Sequence, residues 1–290
     1  MNNDILALIQ DNLPGFSKGQ KQIANYILSS YDKAAFMTAS KLGKTVNVSE
    51  STVVRFAAEL GFDGYPSMQK TLQEMIRNKL TSIQRIEVSR DRIGNQDVLS
   101  MVMHSDIDKI RMTLEDTDQE SFAQAVDYLA QARRVYILGV RSAGALADFL
   151  GYYLRFMFDD VTVVDTSAMS EVFEQVLRVR QGDVFIGLSF PRYSRRTVKA
   201  MNYVKNQGAT VIAITDIHAS PLTQYADVSL LAKSDMASFV DSLVAPLSLV
   251  NALIVAVSRQ RTEQLERTLG ELEKIWSEYD EYEKPSEKDE

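Results

Sequence analysis

Apolar residues recur every three to four positions through the first 80 residues, and no stretch there alternates as a strand does. The pattern predicts helices over 3–12, 17–30, 38–45, 49–60 and 66–80. Pro14-Gly15 separates the first two. Ser17 reads as an N-cap, with Gln20 completing a capping box, and "DGYP" at 63–66 as a turn that puts Pro66 in a first helical turn. Residues 81–95, "TSIQRIEVSRDRIGN", show weak periodicity and read as a linker. Amphipathic helices follow over 97–116 and 119–132. From 134 the rhythm changes: "RVYILG", "VTVVD", "DVFIGLS", "TVIAIT" and "DVSLLA" alternate with helical segments. That alternation predicts a parallel sheet with helices on both faces. The apolar run 239–258 reads as a core helix.

The expected fold is therefore two domains, an all-α domain followed by an α/β domain. The predicted bounds are 1–80 for the helical domain, 81–95 for the linker, 96–260 for the α/β domain with its leading helices, and 261–290 for a C-terminal helix and polar tail. Within that last helix, Leu265, Leu269, Leu272, Trp276 and Tyr279 make a heptad-like seam. The seam suits either another subunit or the chain's own domain.

Charge sharpens the division. Residues 1–95 hold 12 Lys+Arg against 9 Asp+Glu, whereas the whole chain is at −7. Any nucleic-acid contact is thus expected in the first third. The chain has no cysteine, and its two histidines, His104 and His218, match no zinc spacing, so neither metal nor other cofactor is expected. No apolar run is long enough for a transmembrane helix, and the first residues lack a basic-then-apolar leader. The expected location is the cytoplasm, with no membrane partner.

The stretch "TASKLGKTVNVSESTVVRFAAELGF" over 38–62 has helix-turn-helix spacing. Ala39, Leu42 and Val46 pack the first helix inward. Asn47 sits where a left-handed residue is usual, and Ser49 caps the second helix. Val53, Val54 and Phe56 are expected to make its apolar contacts. Together with "AFMTASKL" and "MQKTLQ", residues 1–77 resemble the N-terminal domain of the RpiR (MurR/RpiR) family of bacterial transcriptional regulators. The resemblance implies a dimer on a palindromic operator of double-stranded DNA. It points to Ser49, Ser51, Thr52 and Arg55 on the recognition helix, with Lys44 and Lys70 as backbone contacts. Gly43 replaces the alanine often found in the family, which either weakens that helix or permits close packing.

Residues 134–258 resemble the SIS (sugar isomerase) domain, the usual companion of this helix-turn-helix. The resemblance implies that phosphorylated sugars bind at turns after parallel strands, and that the chain forms a homo-dimer or homo-tetramer. Two turns carry it. In "GVRSAG" (139–144), Gly139 is kept, Arg141 stands where a second glycine is usual, and Ser142 is a candidate phosphate donor. In "SFPRYSRRT" (189–197), Ser194 and Thr197 match the family's hydroxyl cradle, while Arg192 and Arg195 replace a serine and a glycine. Ser189 and Tyr193 complete the candidate effector set. Arginines at a helix start are unfavourable without an anion, and their excess suggests an acidic sugar phosphate.

Two rivals remain at this point. A sugar-phosphate isomerase needs a base beside the substrate carbonyl, for which Glu171, Glu174 and His218 are placed. Alternatively, the SIS domain serves only oligomerisation. The favoured reading is a non-enzymatic regulator of carbohydrate metabolism that senses a sugar phosphate and alters operator binding.

Overall fold

The computed structural model describes residues 5–76, 81–93, 97–165, 168–236 and 238–282. The chain divides into two compact units. One holds Met1–Met103 and Met236–Asp241; the other holds His104–Asp235 and Ser242–Glu290.

The helical unit contains α1 (Ile5–Asn12), α2 (Lys18–Ser29), α3 (Tyr31–Ala34), α4 (Ala39–Thr45), α5 (Glu50–Glu59), α6 (Tyr65–Ile76) and α7 (Ser82–Ile93). Ile23, Ile27, Leu42, Val53, Phe56 and Leu72 are buried at its centre, and Phe16 tilts against Phe56 with ring centroids 5.1 Å apart. The Ser17–Gln20 capping box forms in both directions. Tyr65 donates to the Met37 carbonyl at 2.7 Å, and burial pushes its phenol above the usual tyrosine range.

The expected linker over 81–95 is instead helix α7 through Ile93. Its start is capped reciprocally: the Thr81 hydroxyl accepts from the Gln84 amide, and the Gln84 side chain accepts from the Thr81 amide at 2.9 Å. Its buried residues include Arg85 and Ser89. A hydrophobic pattern cannot register a helix that turns polar side chains inward. The division between the units also differs from the expected bounds, because it falls at Met103 and the helical unit takes six residues from much later in the chain.

The second unit holds α8 (Val98–Asp116), whose first residues precede the division, and α9 (Gln119–Ala130). It continues as β1 (Val135–Gly139), α10 (Ser142–Leu154), β2 (Val161–Val163), α11 (Met169–Val176), β3 (Val184–Leu188) and α12 (Arg195–Asn206). It ends with β4 (Thr210–Thr215), β5 (Val228–Leu231), α13 (Val244–Gln260) and α14 (Thr262–Glu278). The five strands pair in parallel in the order β2-β1-β3-β4-β5. Successive strand residues feed opposite cores. Ile137, Ile186 and Ile212 pack with Leu146, Leu150 and Leu253 of α10 and α13. Tyr136, Phe185 and Val211 pack with Val172, Met201 and Val204 of α11 and α12. The sheet is thus covered on both faces, as the strand–helix alternation predicts.

Core helix α13 starts at Val244, not at 239 as the apolar run suggests. Phe239 and Val240 are exposed. Arg261 ends α13 by donating to the carbonyls of Ala130 and Met157 at 3.0 and 3.1 Å. Along α14, Leu265 packs on its own domain while Ile275 and Tyr279 are exposed. The expected polar tail beyond Tyr282 lies outside the described residues.

Candidate functional site

The helix-turn-helix is assembled by local capping. The Thr38 hydroxyl accepts from the Lys41 amide at 3.2 Å to start α4. The Val48 amide donates back to the Gly43 carbonyl at 2.9 Å, and a Cβ at Gly43 would stand only 2.9 Å from the Val48 carbonyl oxygen. Close packing of the turn therefore accounts for this glycine. Asn47 takes φ 57°, the left-handed geometry that asparagine tolerates. Ser49 caps α5 by accepting from the Thr52 amide at 3.2 Å.

The inner face of α5 buries Val53, Phe56 and Ala57. Val54 does not join them: at 43% exposure it stands on the outer face. Helical geometry explains the difference, because consecutive residues lie about 100° apart around the axis. Ser49, Ser51 and Arg55 are exposed on α5 and Thr52 is half-buried; Lys44 and Lys70 are exposed on α4 and α6. The Ser49 hydroxyl lies 2.9 Å from that of Ser51 and 2.8 Å from that of Thr52. Arg55 Nε donates to the Ser51 carbonyl at 3.3 Å.

The start of α2 lies beside this face. A Cβ on Gly19 would stand 3.5 Å from Thr52 Cγ2 and from Val48 Cγ1. Lys18 and Lys21, on the same turn of α2, are exposed. They add charges that the sequence reading did not include. Nothing in the α2 sequence indicates that its first turn neighbours the second helix of the motif.

The second candidate site follows from strand order. β1 lies between β2 and β3. The connections after β1 and β3 therefore leave the sheet in opposite directions, opening a crevice at their carboxyl ends. Both sequence-predicted turns lie at these two strand ends.

After β1, a Cβ on Gly139 would clash with the Ala143 carbonyl. Arg141 adopts φ 60°, ψ −127°, a geometry suited to glycine, and α10 starts there without a side-chain cap. A non-glycine residue held so costs about 1–3 kcal/mol. Arg141 and Ser142 are both exposed.

After β3, Ser189 is buried, and its hydroxyl accepts from the Ser194 amide at 2.9 Å. Ser194 caps α12 by accepting from the Thr197 amide at 3.4 Å. The first turn of α12 has no acidic residue and carries Arg195 and Arg196. Arg192 and Arg195 are exposed. Thr197 is fully buried, and its hydroxyl has no hydrogen-bond partner. Tyr193 donates to Asp216 at 2.7 Å. Thr215 donates to the Ser189 carbonyl at 2.8 Å and lies 2.8 Å from the Ser220 hydroxyl. The buried polar group Thr215, Asp216 and Ser220 thus supports the turn from β4. "TVIAIT" marks a strand, but it does not reveal which neighbouring turn Thr215 braces.

The proposed isomerase bases fare differently. Glu171 accepts from the Ala168 amide at 3.1 Å at the start of α11. Glu174 and His218 are exposed. Among the described residues no cluster of His, Cys, Asp or Glu could hold a metal ion, and no helix is long and apolar enough to cross a membrane.

Known proteins match both units. Residues 3–79 fit the profile of the helix-turn-helix domain, rpiR family, and residues 128–256 that of the SIS domain. An uncharacterized HTH-type transcriptional regulator of Haemophilus influenzae is 29% identical over 236 residues, covering 79% of this chain and 80% of that protein. HexR of Pseudomonas aeruginosa, an HTH-type transcriptional regulator, is 24% identical over 266 residues, covering 89% and 90%. Among solved structures, Vibrio vulnificus NanR complexed with ManNAc-6P superposes with a TM-score of 0.59 at 21% identity, over 95% of this chain and 99% of that one. The sugar isomerase domain of an RpiR transcription factor from Sphaerobacter thermophilus gives 0.58 at 27% identity, over 62% and 99%.

Proposed function

Because the chain belongs to the rpiR family of helix-turn-helix transcriptional regulators that carry a SIS domain, we propose that it is a cytoplasmic regulator of carbohydrate metabolism whose operator binding is set by a sugar phosphate. The recognition helix α5 enters the major groove with Ser51, Thr52 and Arg55. Arg55 is suited to bidentate contact with guanine, and Ser49, Lys44 and Lys70 to the phosphate backbone. A symmetric operator requires two readers, so the working form is a homo-dimer or homo-tetramer.

One observation carries the effector reading: the buried, unpartnered Thr197 hydroxyl in a basic, acid-free first helical turn at the edge of the crevice. Helix N–H groups and guanidinium groups together favour a phosphate there. Arg141 and Arg192 supply charge for a second anionic group, which makes an acidic sugar phosphate the preferred class. Effector binding shifts operator affinity only if the ligand binds the DNA-competent and incompetent forms unequally.

Catalysis is the weaker reading, because Glu171 is engaged in helix capping and Glu174 and His218 are exposed. The test combines two measurements. Operator duplex selected from random DNA is titrated with the full chain, with and without phosphorylated sugars and sugar acids, by fluorescence anisotropy. The same compounds are incubated with the protein and followed by NMR. The expected outcome is an effector-dependent change in DNA affinity without turnover. Turnover, or DNA affinity indifferent to every compound, would remove the proposal.

A further inference from the structure

The helical unit is completed by six residues from far along the chain, Met236–Asp241. Met236 packs against the helical core, and Asp241 pairs with Arg85 of α7 at 2.7 Å. The Arg85 side chain is 4% exposed and that of Asp241 19%. Desolvating an arginine is costly without a partner, and Asp241 is a partner that offsets this cost where α7 turns Arg85 inward. Met236 and Asp241 are themselves joined by an antiparallel bridge.

The stem that carries this hexapeptide is bonded to the end of the sheet. The Ala232 amide donates to the Thr215 carbonyl at 2.8 Å, the Lys233 amide to the Thr113 hydroxyl at 2.9 Å, and the Ser234 hydroxyl to the Ser242 carbonyl at 3.0 Å. The Ser242 hydroxyl in turn donates to Asp106 at 2.6 Å. Thr215 is also the residue whose hydroxyl holds the Ser189 carbonyl, at the start of the arginine-bearing turn. A continuous set of bonds and short chain segments therefore runs from Ser189 through Thr215 and Ala232 to Asp241 and Arg85.

We propose that Met236–Asp241 is a latch, held to α7 by the Arg85–Asp241 pair, through which the state of the Ser189–Thr197 turn reaches the helical unit. The proposal rests on the effector reading of that turn. Its physical content is a segment with two conditions, seated and released, whose balance the turn biases.

Hydrogen exchange on the full chain tests it, with inorganic phosphate as the probe anion. Phosphate is expected to slow exchange of the Arg195–Val198 amides and to change exchange in 82–93 and 238–241 by about threefold or more. In Asp241→Asn the first effect stays and the second is lost. The exchanged pair, Arg85→Asp with Asp241→Arg, restores the second effect, which a merely loosened fold would not do. If Arg195–Val198 are slowed while 82–93 are unchanged, or if 82–93 still respond in Asp241→Asn, the latch is wrong. If phosphate leaves Arg195–Val198 untouched, the anion reading fails instead, and Thr215→Val decides the latch without ligand. That change, which deletes the hydroxyl bond to Ser189, should speed exchange in 82–93 in the parent chain but add nothing in Asp241→Asn. No change in the parent chain would overturn the latch.

Discussion

Two helix starts in this protein share one capping scheme and differ in almost everything else. Ser49-Glu50-Ser51-Thr52 opens α5, and Ser194-Arg195-Arg196-Thr197 opens α12. In each, the serine hydroxyl accepts from the amide of the threonine three residues on. At α5 the first turn carries Glu50, which suits the positive end of the helix dipole, and the hydroxyls of Ser49, Ser51 and Thr52 satisfy one another. At α12 the first turn carries two arginines, and the threonine hydroxyl is buried without a partner. The first start is electrically complete by itself and displays its polar groups outward. The second carries no acidic residue in its first turn, and its threonine hydroxyl has no hydrogen-bond partner; a bound phosphate would bring both a negative charge and an acceptor.

Substitutions can break or sharpen that contrast. The largest expected effect is on DNA. Arg55→Ala should weaken binding to a selected operator by about 1–3 kcal/mol and relax base preference at one position. Titrations against the selected and a scrambled duplex check this. Sugar-phosphate binding should be unchanged, since Arg55 belongs to the helical unit.

Next come the caps. Ser49→Ala and Ser194→Ala should each cost roughly 1 kcal/mol of stability, measured by urea unfolding. They should diverge once phosphate is added. Phosphate should widen the loss at Ser194, because that hydroxyl belongs to the cradle that holds the anion and the variant gains less from it, and leave the loss at Ser49 as it was.

The smallest effect is a charge reversal that gives α12 the acidic first turn of α5. Arg195→Glu should raise the stability of the ligand-free chain by about 0.3–1 kcal/mol at low salt, while abolishing its response to phosphate. The reciprocal Glu50→Arg should lower stability by a similar amount and increase salt-sensitive binding to nonspecific DNA.

How much of this was legible in the sequence follows from the kind of interaction involved. Period and capping are local, so the helix-turn-helix, the Ser17–Gln20 box and the βα alternation could be read directly. The two strand-to-helix turns could be placed because turns after parallel strands have a fixed topological position. Helix α7 could not be read, since the buried positions among its described side chains are the polar Arg85 and Ser89. Its counter-ion, Asp241, lies 156 residues away. The true start of α13 was hidden for the converse reason: Phe239 and Val240 are apolar but exposed. Arg141 stood out as an unusual residue for its turn, but only the backbone angles reveal that it occupies a glycine geometry. The hydroxyl at 197 reads as one cradle residue among several. Its burial without a partner depends on packing that no local pattern contains.

That hydroxyl also gives the most direct test. Thr197→Val keeps the shape of the side chain and removes only the unpartnered group. Without ligand, the variant should be more stable than the parent by about 1 kcal/mol or more, because an unsatisfied buried hydroxyl costs about 1–3 kcal/mol. With a panel of sugar phosphates, the parent's thermal midpoint should rise for its effector and the variant's should rise much less. A variant that loses stability without ligand, yet keeps the full effector-induced rise, would contradict the claim that α12 begins at an anion sensor.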